Sequence, residues 1–245
     1  MAQSWSGDER PLLAQLPQRS MREAVVVVKC VAQKRVLFKN TASVQSEGEL
    51  PMSSYIFVSP RSDPGMGRPL DDPILRAGVR PTMGTCRPDL RRLVRLGDQI
   101  FVVSGSMGPA IKQYVIGGLE IGQKLEDQLA AYEAYPEHRL QFDAAGQRTG
   151  NIIVTADGAH DPRDHHDKFD KRIQNYLVGT NPVVLETARE VELGRERSVD
   201  LLAELFNKPE AKTMRQAVGR MRKLSEAQAD RLRKALLDLK REARQ

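Results

Sequence analysis

The chain has 245 residues, with 38 Lys and Arg against 32 Asp and Glu, a formal net charge of +6 and only 5% aromatic residues. Its sequence pI is about 9.4 and its mean hydropathy −0.47. That length holds one good-sized core, or a core plus an appendage, and the sparse aromatics argue against a large aromatic-rich interior.

No apolar run approaches the ~20 residues of a membrane helix. The first ten residues lack the basic-then-apolar layout of a signal peptide. Cys30 and Cys86 stand far apart and match no zinc spacing. A soluble, cytoplasmic protein without metal, cofactor or membrane association is therefore expected. The positive balance permits a polyanionic partner without requiring one.

Residues 1–50 are mostly polar and read as a peripheral, partly disordered segment, with two strands predicted at Ala24–Val31 and Arg35–Phe38. Met52 reads as an alternative beginning of the folded domain. Tyr55–Val58 is a buried-strand run, and the loop from Pro60 to Pro73 holds four prolines and two glycines. Pro88 suits a first helical turn closed by Thr85 or Arg87. Leu90, Leu93, Val94 and Leu96 give a short apolar stripe beside Arg91, Arg92 and Arg95. Gly97-Asp98 reads as a turn, and Ile100–Val103 as a strand stopped by Ser104-Gly105-Ser106.

Tyr114–Ile121 reads as the next strand, its Gly117-Gly118 pair marking a bulge or a close backbone approach. An alanine-rich helix follows over Leu125–Tyr135. Short strands are expected at Arg139–Phe142 and Asn151–Thr155, and a last one from Ile173 to Val178. The whole predicts an α+β fold, a small mixed β-barrel with inserted helices over 51–183. Residues 184–245 read as an α-helical extension, broken at Gly194, with a helix carrying Met214, Val218, Met221 and Leu224. Ser225 and Gln228 form a capping-box pattern, and Ala229, Leu232, Leu236 and Leu239 form an apolar seam. That extension could pack on the barrel, join a dimer or dock a protein partner.

Several of these pieces together resemble a known family. Tyr55–Val58, Arg61-Ser62-Asp63-Pro64-Gly65, Thr85-Cys86-Arg87-Pro88-Asp89-Leu90-Arg91-Arg92 and the run from Leu96 to Ser106 look like the nucleotide-modification-associated domains, second type. The helix followed by a Gly-Asp strand is also similar in layout to EVE and ASCH domains of the PUA-like superfamily. The likeness covers residues 53–183. It implies a compact PUA-like barrel that contacts nucleic acid or a modified nucleotide in a DNA-modification-associated system. The sequence departs from EVE domains in having no tryptophan near such a pocket, since its one Trp is Trp5. Tyr55, Phe57, Phe101, Tyr114 and Tyr176 are left as candidate stacking groups.

Within the matched motifs, Arg61, Asp63, Thr85, Cys86, Arg87, Arg91, Arg92, Ser104 and Ser106 are the expected nucleotide-binding residues, because a guanidinium grips phosphate or a guanine edge in a bidentate way. For Arg91 and Arg95 an ordinary solvated helix face explains the charge equally well. Cys86 at a helix start is either an activated nucleophile or a small buried apolar group.

The stretch from Ala159 to Asp170 gathers three of the four histidines among four aspartates. His160, His165, His166 and Asp164 form the candidate acid–base set, a carboxylate able to orient an imidazole. The same stretch could serve as a metal site or as a polar loop closing over a ligand. Pro162 is expected to begin a short helix capped by Asp161, with His165 and Phe169 on one face. Two functions follow: recognition of nucleic acid or a modified nucleotide through a basic pocket, or an enzyme of nucleotide processing built on this loop.

Overall fold

The computed structural model describes residues 53–245. The expectations for residues 1–50 and for Met52 lie outside the described residues.

The elements run β1 (Ser54–Val58), β2 (Thr82–Met83), α1 (Pro88–Leu93), β3 (Gln99–Val103), β4 (Val115–Asp127), α2 (Gln128–Ala134), α3 (Phe169–Arg172), β5 (Gln174–Val184), α4 (Ala188–Leu205), α5 (Met214–Ala217), β6 (Met221–Leu224) and α6 (Glu226–Glu242). The strands form one sheet in the order β2-β5-β4-β3-β1-β6. β1 and β3 are parallel, whereas the other neighbours are antiparallel. The apolar run of β3 sits centrally and is buried along its whole length. A strand covered on both faces has no need of alternating polar residues.

This sheet is open, which corrects the expected barrel. Its edges are a two-residue strand at β2 and a four-residue strand bearing Arg222 and Lys223 at β6. These ends do not pair with each other, and a barrel exists only where they do. Around the expected Gly117-Gly118 irregularity the β4–β5 register shifts between Gly118 and Glu120. A Cβ on Gly117 would stand 2.2 Å from the Val183 carbonyl oxygen, so this close approach admits only glycine.

Several element boundaries differ from expectation for tertiary reasons. β4 extends to Asp127, whose side chain caps α2 by accepting the Ala130 N–H at 2.9 Å. β5 continues through Gly179 to Val184 because β4 is there to pair with it. Residues 139–142 and 151–155 make isolated bridges rather than strands. α4 runs unbroken through Gly194, which lies where a Cβ would meet Leu185 at 2.8 Å.

The tail is not wholly helical. α5 stops before Gly219, which has φ +76, and the chain then joins the sheet as β6 beside β1. Both α4 and α6 begin with capping boxes, Thr187 with Glu190 and Ser225 with Gln228. The seam of Ala229, Leu232, Leu236 and Leu239 is buried in the same core as Leu202 and Leu205. Lys240 of α6 and Glu190 of α4 add an ion pair at 2.9 Å. Residues 184–245 therefore complete the core that the earlier strands begin. No helix of the described residues is long and apolar enough to cross a membrane.

Candidate functional site

The turn before α1 carries a cradle of backbone N–H groups, and the protein fills it with its own carboxylate. Asp72 accepts from the N–H of Gly84 at 2.7 Å, from that of Thr85 at 2.9 Å and from that of Cys86. Asn151 Nδ2 donates to the same carboxylate at 2.8 Å, while Asn151 Oδ1 accepts from the Tyr176 hydroxyl at 2.8 Å. Gln128 closes the network, donating to the Gly84 carbonyl and accepting the Ile153 N–H, each at 2.6 Å. All these side chains are buried. Such a network fixes the turn against the sheet because each member satisfies another.

Two of the four arginines expected to grip a ligand, Arg91 and Arg87, are engaged by the protein itself. Arg91 is fully buried. Its Nε donates to the Cys86 carbonyl at 3.0 Å, its Nη2 to that of Arg172 at 2.7 Å, and its Nη1 to those of Asn175, at 2.9 Å, and Gln174. Burial lowers its pKa to about 10, with the Asp72 charge opposing, so it stays cationic at neutral pH. Arg91 thus clamps the start of β5 onto α1. Arg87 is the left-handed residue before α1 (φ 50) and forks Asp89 at 3.0 and 2.7 Å. Its guanidinium also lies 5.9 Å from the Phe57 ring centre.

Other predicted binding residues are scattered. Arg61 and Arg92 are exposed on different segments. Asp63 is buried against Arg195 Nη2 at 2.6 Å. Ser104 is buried and accepts the Tyr114 N–H at 3.0 Å, whereas exposed Ser106 borders a hollow of about 340 Å³ with Lys112 and Lys212. Thr85 is buried, and its hydroxyl has no partner among the described residues. Burial, helped by the Asp72 charge, pushes the Cys86 thiol up to about 12, which removes the thiolate a nucleophile needs. Tyr55, Phe57, Phe101, Tyr114 and Tyr176 are at most 8% exposed and belong to the core rather than to a stacking surface.

The histidine–aspartate stretch does converge, on Asp164. Residues 161–164 form a turn closed by the Asp164 N–H on the Asp161 carbonyl at 2.9 Å, in place of the expected capped helix. The Asp164 side chain is fully buried. Its Oδ2 accepts from His160 Nε2 at 2.9 Å and from the His166 N–H at 3.1 Å. Its Oδ1 accepts from His166 Nδ1 at 2.7 Å and from Arg148 Nη1 at 2.9 Å. Burial raises the Asp164 pKa, but the bonds from His166 and His160 outweigh it and hold the carboxyl well below the usual range.

An ionised carboxylate only accepts, so the bonded nitrogen of each imidazole carries the proton. Where such a ring is neutral, its lone pair is at Nε2 in His166 and at Nδ1 in His160. Both rings are about one-third exposed, at 31% and 34% of their side-chain surface. His160 stacks on Phe169 with ring centres 4.5 Å apart, the place expected for His165. His165 is exposed and makes no contact with the carboxylate.

Arg148 and Asp71 complete this site and were not legible in the sequence. Arg148 Nε donates to the Gly150 carbonyl at 2.7 Å, and its Nη2 is buried with no hydrogen-bond partner among the described residues. The guanidinium borders a recess of about 130 Å³ that Arg76 and the carboxylates Asp71, Asp143 and Glu186 also line. Burial raises the Asp71 carboxyl pKa, against the charges of Arg148, Arg76 and His166 and reinforced by that of Asp72. A carboxylate-held imidazole beside a guanidinium with a free donor can move a proton and steady an anion. Among the described residues no group of three or more His, Cys, Asp or Glu is arranged to hold a metal ion.

No protein-family model matches the sequence, and no curated protein and no solved structure matches it either.

Proposed function

We propose that the protein acts on a nucleotide or nucleic acid by proton transfer, with His166 as the transferring group and Arg148 holding the anionic part of the substrate. The observation that carries this reading is the hub at Asp164: one buried carboxylate bonded to His166 Nδ1 at 2.7 Å, His160 Nε2 at 2.9 Å and Arg148 Nη1 at 2.9 Å. Asp164 fixes the tautomer that leaves Nε2 of His166 as the base. Its negative charge then stabilises the imidazolium formed once the proton has been taken, and the same ring can return that proton as an acid. A positioned imidazole of this kind contributes roughly 10²–10⁴-fold to a rate. Arg148, anchored on Asp164 and the Gly150 carbonyl, is the fixed positive charge at the centre, and its buried Nη2 becomes a donor to phosphate only as the groups covering it move. The net charge of +6 favours an anionic partner in general terms. The resemblance of Thr85–Arg92 and Leu96–Ser106 to nucleotide-handling domains is what suggests nucleotides as the class.

The test is a turnover screen on nucleoside mono-, di- and triphosphates and on short oligonucleotides, read by chromatography with mass detection. His166→Gln should lower turnover at least about 100-fold while the melting temperature stays within a few degrees of wild type. Turnover by His166→Gln at the wild-type rate contradicts the reading. Salt-dependent binding with no chemistry on any member of the panel replaces it with recognition alone.

A further inference from the structure

The Asp161–Asp164 turn borders a second hollow, of about 330 Å³, which Asp161 itself lines together with Tyr132, Arg139, Leu140, Val154 and Arg163. Its two guanidinium groups are held in place by the protein. Arg139 lies 3.8 Å from the Tyr132 ring centre, with Nε and Nη2 donating to the Tyr132 carbonyl at 3.1 and 2.9 Å. Arg163 forks Asp161 at 3.0 and 2.7 Å and also donates to the Leu140 carbonyl at 3.0 Å. Leu140 and Val154 are almost wholly buried and give the hollow an apolar base.

We infer that this hollow is a base-stacking subsite, and that the substrate of the Asp164 centre is a single-stranded nucleic acid rather than a free mononucleotide. The inference rests on the function proposed above. Tyr132 is capped by Arg139, so the plane offered to a ligand is the guanidinium itself, and unpaired bases stack on such planes. Both arginines are fixed before a ligand arrives, which leaves little side-chain freedom to lose on binding. The Asp161 carboxylate is neutralised by Arg163 and repels a phosphate less. The ends of a four-residue turn lie within about 7 Å of each other. On this reading one strand places a base over Arg139 and continues along the Asp161–Asp164 turn towards the Asp164 centre.

Fluorescence anisotropy at fixed salt with labelled single-stranded DNA and RNA octamers and the matching duplex tests this. The wild-type chain should prefer single strands to duplex. Arg139→Leu and Arg139→Lys should each weaken single-strand binding by about fivefold or more, since lysine keeps the charge and loses the plane. Should either variant fail to fold, Arg163→Gln gives a second reading, expected to weaken single-strand binding because the Asp161 carboxylate is then left unneutralised. Equal affinity for duplex and single strand, or wild-type strand affinity in Arg139→Lys, overturns the subsite. If that happens while His166→Gln still abolishes turnover, the proton-transfer reading stands alone. If His166→Gln turns over normally while the Arg139 variants lose the strand, the subsite stands and the proton-transfer reading falls.

Discussion

Asp164 and Arg148, 16 residues apart, meet at 2.9 Å, and that contact joins the histidine turn to the loop carrying Gly150. The carboxylate is shared: the same side chain fixes both imidazoles. One buried charge therefore sets the orientation of three groups.

Replacing Asp164 by Asn should lower both stability and turnover, and the stability difference should depend on pH. The folded carboxyl lies below its ordinary value. Its contribution is therefore fully present above the unfolded pKa near 4 and is lost as pH falls through the folded value. At pH 7 Asp164→Asn should cost about 2–4 kcal/mol. The gap in melting temperature between wild type and variant should narrow steadily below about pH 4. A gap that stays constant down to pH 2 contradicts the assigned role.

Cys86 should be inert in the native chain. A thiol raised from 9.0 to about 12 has roughly a thousandfold less thiolate at pH 8.5. Iodoacetamide labelling followed by peptide mapping, which separates Cys86 from Cys30, should show Cys86 modified only after unfolding in guanidinium. Native labelling at the rate of a free thiol would restore the nucleophile reading.

Arg91 should matter for stability rather than for ligand affinity. Lysine cannot reach the four carbonyls that the guanidinium serves. Arg91→Lys should cost about 3 kcal/mol, a fall in melting temperature of roughly 6–12 °C for a domain of this size. A variant that melts within 2 °C of wild type yet binds nucleotide more weakly would show Arg91 to be a ligand-binding residue.

Truncation after Asn207 should abolish folding rather than detach an appendage. It removes β6 together with Leu224, Leu232, Leu236 and Leu239, all buried. Four buried leucines are worth about 6–12 kcal/mol, comparable to the whole stability of about 5–15 kcal/mol of an ordinary domain. A soluble, cooperatively melting fragment ending at Asn207 would contradict this.

The strands at Tyr55–Val58 and Ile100–Val103, the helix at Pro88 and the seam of α6 were legible because their causes are local: apolar runs, a proline at a helix start, a capping box. β6 was hidden because Met214, Val218 and Met221 have helical spacing, and only the presence of β1 makes an extended Met221–Leu224 the better solution. The burial of Arg91 depends on carbonyls more than 80 residues away, which no local pattern reports. His160, His166 and Asp164 could be named from their crowding, yet nothing in Gly146-Gln147-Arg148 foretold the guanidinium that meets them. Asp72 was equally silent, since its role is to accept N–H groups from residues 84–86.

The most direct measurement is the ring ¹⁵N chemical shifts of His166 during titration with a nucleoside monophosphate and then with a single-stranded octamer. Binding at the Asp164 centre should move the Nε2 resonance in a saturable way while Nδ1, held by the carboxylate, stays nearly fixed. An Nε2 resonance that does not move while the octamer saturates the protein would contradict the account.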